Sequence, residues 1–238
     1  MDKFEIKPSQ MSLPTPQITS DLRKNMVLVP DIIKQHTTGI SMLGKKIHSL
    51  LFSTDIAIIR NTNADAIIAV YPFTPHPTIT QAIMNAADIP VLCGVGGGLT
   101  SGVRSVNIAL HAEFQGALAV VLNGPTPEST ISAVKETVGI PVIVTIVSEL
   151  VDHRGKLAAG ADILNVSGGA KTPDIVAKIR RTDKNVPIIA TGGTSEAAIM
   201  KTIEAGANAI TFTPPSSAEL FKVKMEKYRV DEIDRLSK

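Results

Sequence analysis

Tryptophan is absent and aromatic residues make up 3% of the 238-residue chain, so bulky rings do not fill its interior. The core must come from Ile, Val, Leu and Ala within a 44% hydrophobic composition, which suits layers of branched side chains between strands and helices. Cysteine occurs once, as Cys93, which excludes an intramolecular disulfide and fits the reducing cytoplasm. With no His or Lys beside it in sequence, Cys93 is expected to be a small apolar residue rather than a nucleophile. No apolar run approaches the ~18 residues of a membrane span, and the first residues lack a secretory pattern. A formal net charge of +2 gives no electrostatic case for nucleic acid. The cluster Lys178, Arg180, Arg181 and Lys184 reads as a solvated helix face. H-x-H, H-E-x-x-H, C-x-x-C, dinucleotide and Walker motifs are all missing, so no cofactor is expected. The sequence leaves room only for a hard divalent metal held mainly by substrate phosphates and one carboxylate.

What is present is an alternation of two kinds of strand start. One uses a turn residue and small residues, as in Asn63-Ala64-Asp65-Ala66, Gly116-Ala117-Leu118-Ala119, Gly160-Ala161-Asp162-Ile163 and Gly206-Ala207-Asn208-Ala209. The other begins with proline, as in Pro90-Val91-Leu92, Pro141-Val142-Ile143 and Pro187-Ile188-Ile189. Proline is tolerated at the first position of a strand, where its missing N–H costs little. With the run 46–52 these make eight apolar segments, mostly continuous rather than alternating, as strands buried on both faces should be. Helical signals fill the gaps: Thr126-Pro127-Glu128 and Thr172-Pro173-Asp174 have cap, proline and first-turn acid in order, and Ser216 to Glu219 has capping-box spacing. Gly160 and Gly206 sit where helices would end. Units of roughly 20 to 27 residues repeated eight times predict a (β/α)8 TIM barrel over 46–238 with an N-terminal extension over 1–45. The doubly wound sheet is the rival, but its Gly-rich first turn is missing.

In a barrel, function lies at the C-terminal ends of the strands, and the loops after the last two strands are the usual phosphate cradle. Here these are Thr191-Gly192-Gly193-Thr194-Ser195 and Thr213-Pro214-Pro215-Ser216-Ser217. Paired glycines before a helix start leave N–H groups open to an anion, so Gly192, Gly193, Thr194, Ser216 and Ser217 are the expected phosphate ligands. The run Val186-Pro187-Ile188-Ile189-Ala190-Thr191-Gly192-Gly193, followed by Glu204-Ala205-Gly206-Ala207-Asn208-Ala209-Ile210, resembles the phosphate-binding barrels, the ribulose-phosphate-binding group in particular. That resemblance implies a TIM barrel acting on a small phosphorylated ligand. Members of the group place a glycine and a small polar residue after the eighth strand. This chain has Pro214 and Pro215, which have no N–H to donate.

Two further glycine-rich loops, Gly94-Val95-Gly96-Gly97-Gly98 and Ser167-Gly168-Gly169-Ala170-Lys171, suggest close ligand approach, a mobile lid, or loops squeezed together. Gly168 and Gly169 join the expected ligand contacts, as do Asn123 and Asn165 at the ends of the fourth and sixth strands. The acid–base inventory is thin. Glu149, Lys171 and Asp55 are the catalytic candidates, each with a plain structural alternative as a helix-start charge, a loop cation or an N-cap. Apart from Lys46 at the entry of the first run, no lysine lies within an expected strand, which argues against an interior Schiff base. His76 and Tyr71 flank the second strand's exit, and His111 and His153 fall in expected helices.

Two functions fit: an enzyme of isomerase, epimerase, lyase or hydrolase type on a small phosphorylated metabolite, or a sensor of such a metabolite, similar to glycerol-phosphate-responsive antiterminators. Residues 1–45 carry Met11, Leu13, Ile18, Leu22, Met26, Val27, Leu28, Val29, Ile32 and Ile33. So many apolar side chains must cover the barrel's bottom, a helix groove or a second subunit, and a homodimer or higher homo-oligomer is expected, most simply a twofold dimer.

Overall fold

The computed structural model describes Pro16, Ile18, Ser20 and residues 26–237. Helix α1 (Asp31–His36) leads into a hairpin of β1 (Ile40–Met42) and β2 (Lys45–Ile47). Strands and helices then alternate: β3 (Ser49–Phe52), α2 (Ile56–Ile59), β4 (Ala66–Ala69), α3 (Pro77–Ala86), β5 (Val91–Gly96) and α4 (Val103–Phe114). They continue as β6 (Ala119–Leu122), α5 (Glu128–Thr137), β7 (Val142–Ile146), α6 (His153–Ala158), β8 (Ile163–Val166) and α7 (Thr172–Thr182). The last units are β9 (Ile188–Thr191), α8 (Glu196–Glu204), β10 (Ala209–Phe212) and α9 (Ser217–Leu236). Strands β3 to β10 close in chain order into a parallel barrel, with β10 paired to β3. This is the expected TIM barrel.

The first expected strand needs correction. Residues 46–52 divide at His48: Lys45–Ile47 pairs antiparallel with β1, and only Ser49–Phe52 enters the barrel wall. Leu43 and Gly44 both have positive φ, as a tight two-residue hairpin turn requires. The boundary expected between residues 45 and 46 therefore falls inside a hairpin. Residues 26–30 contribute no ninth wall strand, because Val27 makes a single bridge to Thr62.

Two apolar layers hold the barrel. Inside lie Leu50, Ile68, Leu92, Val121, Ile143, Ile163 and Ile189, with Ile40, Met42 and Ile47 of the hairpin packed among them. The bottom of the barrel thus had room for part of the extension, and the hairpin fills it. Outside, between strands and helices, lie Leu51, Ile67, Cys93, Val120, Val144, Leu164 and Ile188, with Val29 and Ile33 of the extension in the same layer. Cys93 is buried there, which pushes its thiol up to about 12. At neutral pH it is a protonated thiol behind the wall, as expected.

The small-residue strand starts turn out to carry a repeated polar stitch. Asp65, Asp162 and Asn208 each stand one residue before β4, β8 and β10, and each side chain accepts the first N–H of the preceding strand. The bonds run from Ser49 N to Asp65 Oδ2 at 3.0 Å, from Val142 N to Asp162 Oδ2 at 2.8 Å and from Ile188 N to Asn208 Oδ1 at 2.9 Å. A basic side chain covers each stitch: Lys34 on Asp65 at 2.9 Å, Lys135 on Asp162 at 2.7 Å and Arg180 on Asn208 at 2.6 Å. At the fourth such position Leu118 is buried among the interior residues instead.

Helix caps are partly as expected. Ser216 and Glu219 form the capping box, and Gly160 and Gly206 take positive φ after α6 and α8. Thr126, by contrast, is fully buried and its hydroxyl donates to the Asn123 carbonyl at 2.7 Å, leaving α5 without a side-chain cap.

Asp65 also accepts from His48 N and the Ser49 hydroxyl. Burial opposes its ionisation, but Lys34 and these donors outweigh it and hold its carboxyl below the ordinary 3.8. Asp65→Ala should cost about 2–3 kcal/mol in urea unfolding, while Asp65→Asn, copying Asn208, should retain most of that. Because the folded value is depressed, this stabilisation is present above the unfolded value and lost as pH falls through the folded one. The Asp65→Ala deficit should therefore shrink below about pH 4.

Candidate functional site

Parity along the strands decides what faces the barrel mouth. The last inward positions are Phe52, Val70, Gly94, Asn123, Thr145, Asn165, Thr191 and Thr211, and all eight line cavities there. Just beneath them the interior is apolar. The ring is divided: the first three barrel strands present two apolar side chains and a glycine, and the other five present amides and hydroxyls. No member is ionisable.

Three cavities, of about 360, 620 and 490 Å3, meet around Val70 and Asn123, which line each of them. The largest lies toward β3 and β10 and takes in Asp55, Tyr71, Ser216 and Glu219. The 490 Å3 cavity sits over the barrel axis, with Thr145, Val147, Asn165, Ser167, Thr191 and Thr211 on one side and Phe52, Ile68 and Val70 on the other. Asn165 Nδ2 donates to Thr145 Oγ1 at 3.2 Å, and Thr191 Oγ1 to Ser167 Oγ at 3.2 Å. Asn165 Oδ1 and Thr211 Oγ1 are buried with no partner; the third such atom among the described residues is Gln115 Oε1, at the end of α4. Asn165 is 8% and Thr211 5% exposed. An unsatisfied buried polar group costs about 1–3 kcal/mol, so two on one floor mark it as built for an occupant.

Of the expected catalytic residues, only Asp55 reaches a cavity. It caps α2, with Oδ1 accepting from Ala57 N and Ile58 N, while Oδ2 accepts from the Ser217 hydroxyl at 2.5 Å. That hydroxyl holds Asp55 below the ordinary carboxylate range; burial opposes this and the two amides reinforce it. Asp55 is ionised at neutral pH and can accept a proton or hydrogen bond but not act as an acid. Glu149 is exposed in the loop after β7, where its carbonyl accepts from Lys178 Nζ at 2.6 Å, and α6 is capped by Asp152 instead. Lys171 is exposed at the end of a 3-10 turn, Gly169–Lys171. Neither lines the three cavities. His76 caps α3 and receives no catalytic placement; its N–H donates to the Tyr71 hydroxyl at 2.8 Å.

The expected phosphate corner is half open. After β10, Ser216 N donates to Glu219 Oε2 at 2.7 Å, and the Ser217 hydroxyl is taken by Asp55. An anion arriving there would meet two carboxylates. After β9, the N–H groups of Gly193 and Thr194 have no partner among the described residues, and Ser195 caps α8 behind them. Neither Gly192, Gly193 nor Thr194 lines the three cavities.

Most of the glycines answer to packing. A Cβ on Gly192 would lie 2.7 Å from Ile210 and 2.9 Å from Ile199, and one on Gly193, at φ +83°, would lie 2.9 Å from Ala198. Gly168 faces Ile175, and Gly97 is pressed against Asn123 and Thr126, so loops squeezed together account for both. Within these loops, Gly98 and Gly169 have open space around them. Thr211 and Thr145 are not among the expected ligands, and Thr191 is expected only as the start of the cradle loop. Their signal was a polar residue two positions beyond an inward apolar one on successive strands, readable once parity is known.

Among the described residues no group of three or more His, Cys, Asp or Glu could hold a metal, and no helix is long and apolar enough to cross a membrane. No family model matches the chain, and no curated protein matches it in sequence. Solved structures with the same fold include a phosphonopyruvate hydrolase, 15% identical over 86% of this chain and 85% of that one, TM-score 0.59. A 2,3-dimethylmalate lyase of the PEP mutase/isocitrate lyase superfamily is 14% identical over 85% and 84%, TM-score 0.60. The phosphoenolpyruvate phosphomutase of Streptomyces platensis subsp. rosaceus is 14% identical over 80% and 83%, TM-score 0.59. These neighbours come from a different group of barrels than the ribulose-phosphate-binding one that the β9 loop resembles.

If Gly192 serves packing, Gly192→Ala should lower stability by about 1–3 kcal/mol. Thermal unfolding without ligand measures this; an unchanged Tm would return the residue to a ligand role. At these identities the likeness extends to the barrel fold.

Proposed function

We propose that the barrel mouth binds a small phosphorylated metabolite and that the protein acts on it as an enzyme. The buried, unpartnered atoms Asn165 Oδ1 and Thr211 Oγ1 on the cavity floor carry this reading. The unpaired N–H groups of Gly193 and Thr194 at the start of α8 support a phosphate on that side. Ser216 and Ser217 contribute only if Glu219 and Asp55 release them. The neighbours' names, a phosphonopyruvate hydrolase and a phosphoenolpyruvate phosphomutase, lend support to a phosphorylated or small acidic substrate. Asp55 is the carboxylate placed to accept a substrate proton. Glu149 and Lys171 would have to move with their loops to take part.

One observation favours the sensor reading: the polar groups over the barrel axis are all amides and hydroxyls, and none is an acid–base group. Turnover separates the two. Sugar phosphates, inorganic phosphate and sulfate are screened by thermal shift, and each hit is assayed for conversion. For the enzyme, Asp55→Asn should keep the helix cap and ligand binding but lose about 100-fold or more in kcat. With Asp55 held ionised, the acid limb of the rate should begin only below about pH 4. Stabilising hits with no conversion would leave the sensor.

The protein is further proposed to be a homodimer. Met26 and Leu28 of the extension share an apolar groove of about 700 Å3 with Phe221 of α9. No residue of α9 is buried, and Val223, Tyr228, Val230, Ile233 and Leu236 are all exposed along it. Light scattering after size exclusion should give twice the chain mass, and a variant beginning at Leu43 should lose stability. A monomeric full chain, with the shortened form equally stable, would rule this out.

A further inference from the structure

The two unpartnered atoms on the floor have different hydrogen-bonding needs, and together they describe one end of the ligand. Asn165 already spends an N–H of its amide on Thr145 Oγ1. What remains unpaired is Oδ1, an acceptor. It can be satisfied only by a group that brings a hydrogen: a hydroxyl or an N–H. A fully ionised carboxylate, a phosphate dianion or a ketone oxygen has none to offer. Thr211 Oγ1 can both give and take, so a hydroxyl on the ligand suits both residues at once. The side chains continuing around that wall, Thr145, Ser167 and Thr191, are hydroxyls too.

Charge points the same way. No Lys, Arg, His, Asp or Glu lines the cavity over the axis. An acid group placed there would lose its water without gaining a cation, which is strongly unfavourable. The opposite wall, Phe52 and Val70, is apolar and fits the carbon face of a short chain. We propose that Asn165 and Thr211 form a subsite for the uncharged, hydroxyl-bearing end of the ligand, which is therefore a polyol monophosphate or a similarly hydroxylated phosphate ester. This rests on the reading above that the mouth binds a small phosphorylated molecule. It adds that the phosphate does not occupy the floor, and that the hydroxylated chain does.

The test uses matched probes on the full chain. Glycerol phosphate, erythritol 4-phosphate and ribitol 5-phosphate are compared by calorimetry with n-propyl, n-butyl and n-pentyl phosphate, and with inorganic phosphate. The polyol ester of a pair should bind about tenfold or more tighter than its alkyl counterpart, the factor expected from about one well-made hydrogen bond. Thr211→Val and Asn165→Leu should bring the two within about threefold of each other and leave inorganic phosphate unaffected. Removing a hydroxyl that has no partner should not destabilise the fold, so Thr211→Val should melt within about 2 °C of the wild type or above it. Asn165→Leu strips Thr145 of its donor and can lower Tm for that reason; Thr211→Val, which breaks no bond, then decides.

Equal binding of polyol and alkyl esters by the wild type would overturn the subsite and leave the mouth reading intact. So would a preference that survives in Thr211→Val, or a Thr211→Val that melts well below the wild type, since its hydroxyl would then serve the fold. If no probe binds, inorganic phosphate included, the mouth reading fails and the subsite fails with it.

Discussion

Closure of eight parallel strands leaves every strand with one face turned to the barrel axis and one to the helices, and nearly everything else follows from that parity. A strand has a side-chain period of two, so fixing one inward residue fixes the rest. Ile143 inward puts Thr145 at the mouth; Ile163 does the same for Asn165, Ile189 for Thr191 and Ala209 for Thr211. The apolar layer beneath excludes water and holds those side chains rigidly. The polar layer above lines the cavity floor. A one-residue slip in any wall strand would exchange the two, which is why the stitches at the strand starts matter.

Those stitches join local sequence to closure. Asp65, Asp162 and Asn208 each accept the first N–H of the neighbouring strand, a group that would otherwise meet the barrel's bottom unpaired. They set register at the end opposite the mouth, and each is neutralised or covered by a basic side chain from a helix. The hairpin formed by β1 and β2 completes the arrangement by filling the space beneath the interior side chains. The stitches and the hairpin lie at the bottom, and the mouth is left with cavities, unpartnered groups and loops.

Electrostatics at the mouth depart from the usual arrangement of a phosphate-binding barrel. Both helix starts that flank the largest of the three mouth cavities hold a carboxylate of the chain itself, Asp55 on α2 and Glu219 on α9. A helix start favours negative charge, and here that preference is already met. The site is consequently short of positive charge and rich in neutral hydrogen-bonding groups. Recognition through hydroxyls gains from such a floor, whereas recognition of a second acid group would be penalised by it.

Much of the fold was legible in the sequence because proline, glycine and apolar runs act locally. The eight repeats, the capping box at Ser216 and the helix ends at Gly160 and Gly206 all depend on residues a few positions apart. The split of residues 46–52 at His48 was not legible, since a continuous apolar run looks the same whether or not it belongs to one sheet. The site divided similarly. Asn123 and Asn165 were identified from their places at strand ends, and Asp55 from its place at a barrel mouth. Glu149 and Lys171 sit on loops whose direction no local pattern encodes. Gly192 and Gly193 look like a ligand cradle in sequence, but Ile199, Ile210 and Ala198, brought close by folding, account for their lack of side chains. The sequence by itself determined the barrel, its element order and the neutral character of its strand ends. Only the tertiary structure decided which of those strand-end residues face one another, which carboxylates occupy the helix starts and which polar atoms lack a partner. Those are contacts between residues up to 162 positions apart, as between Asp55 and Ser217, and no local rule of spacing reaches that far.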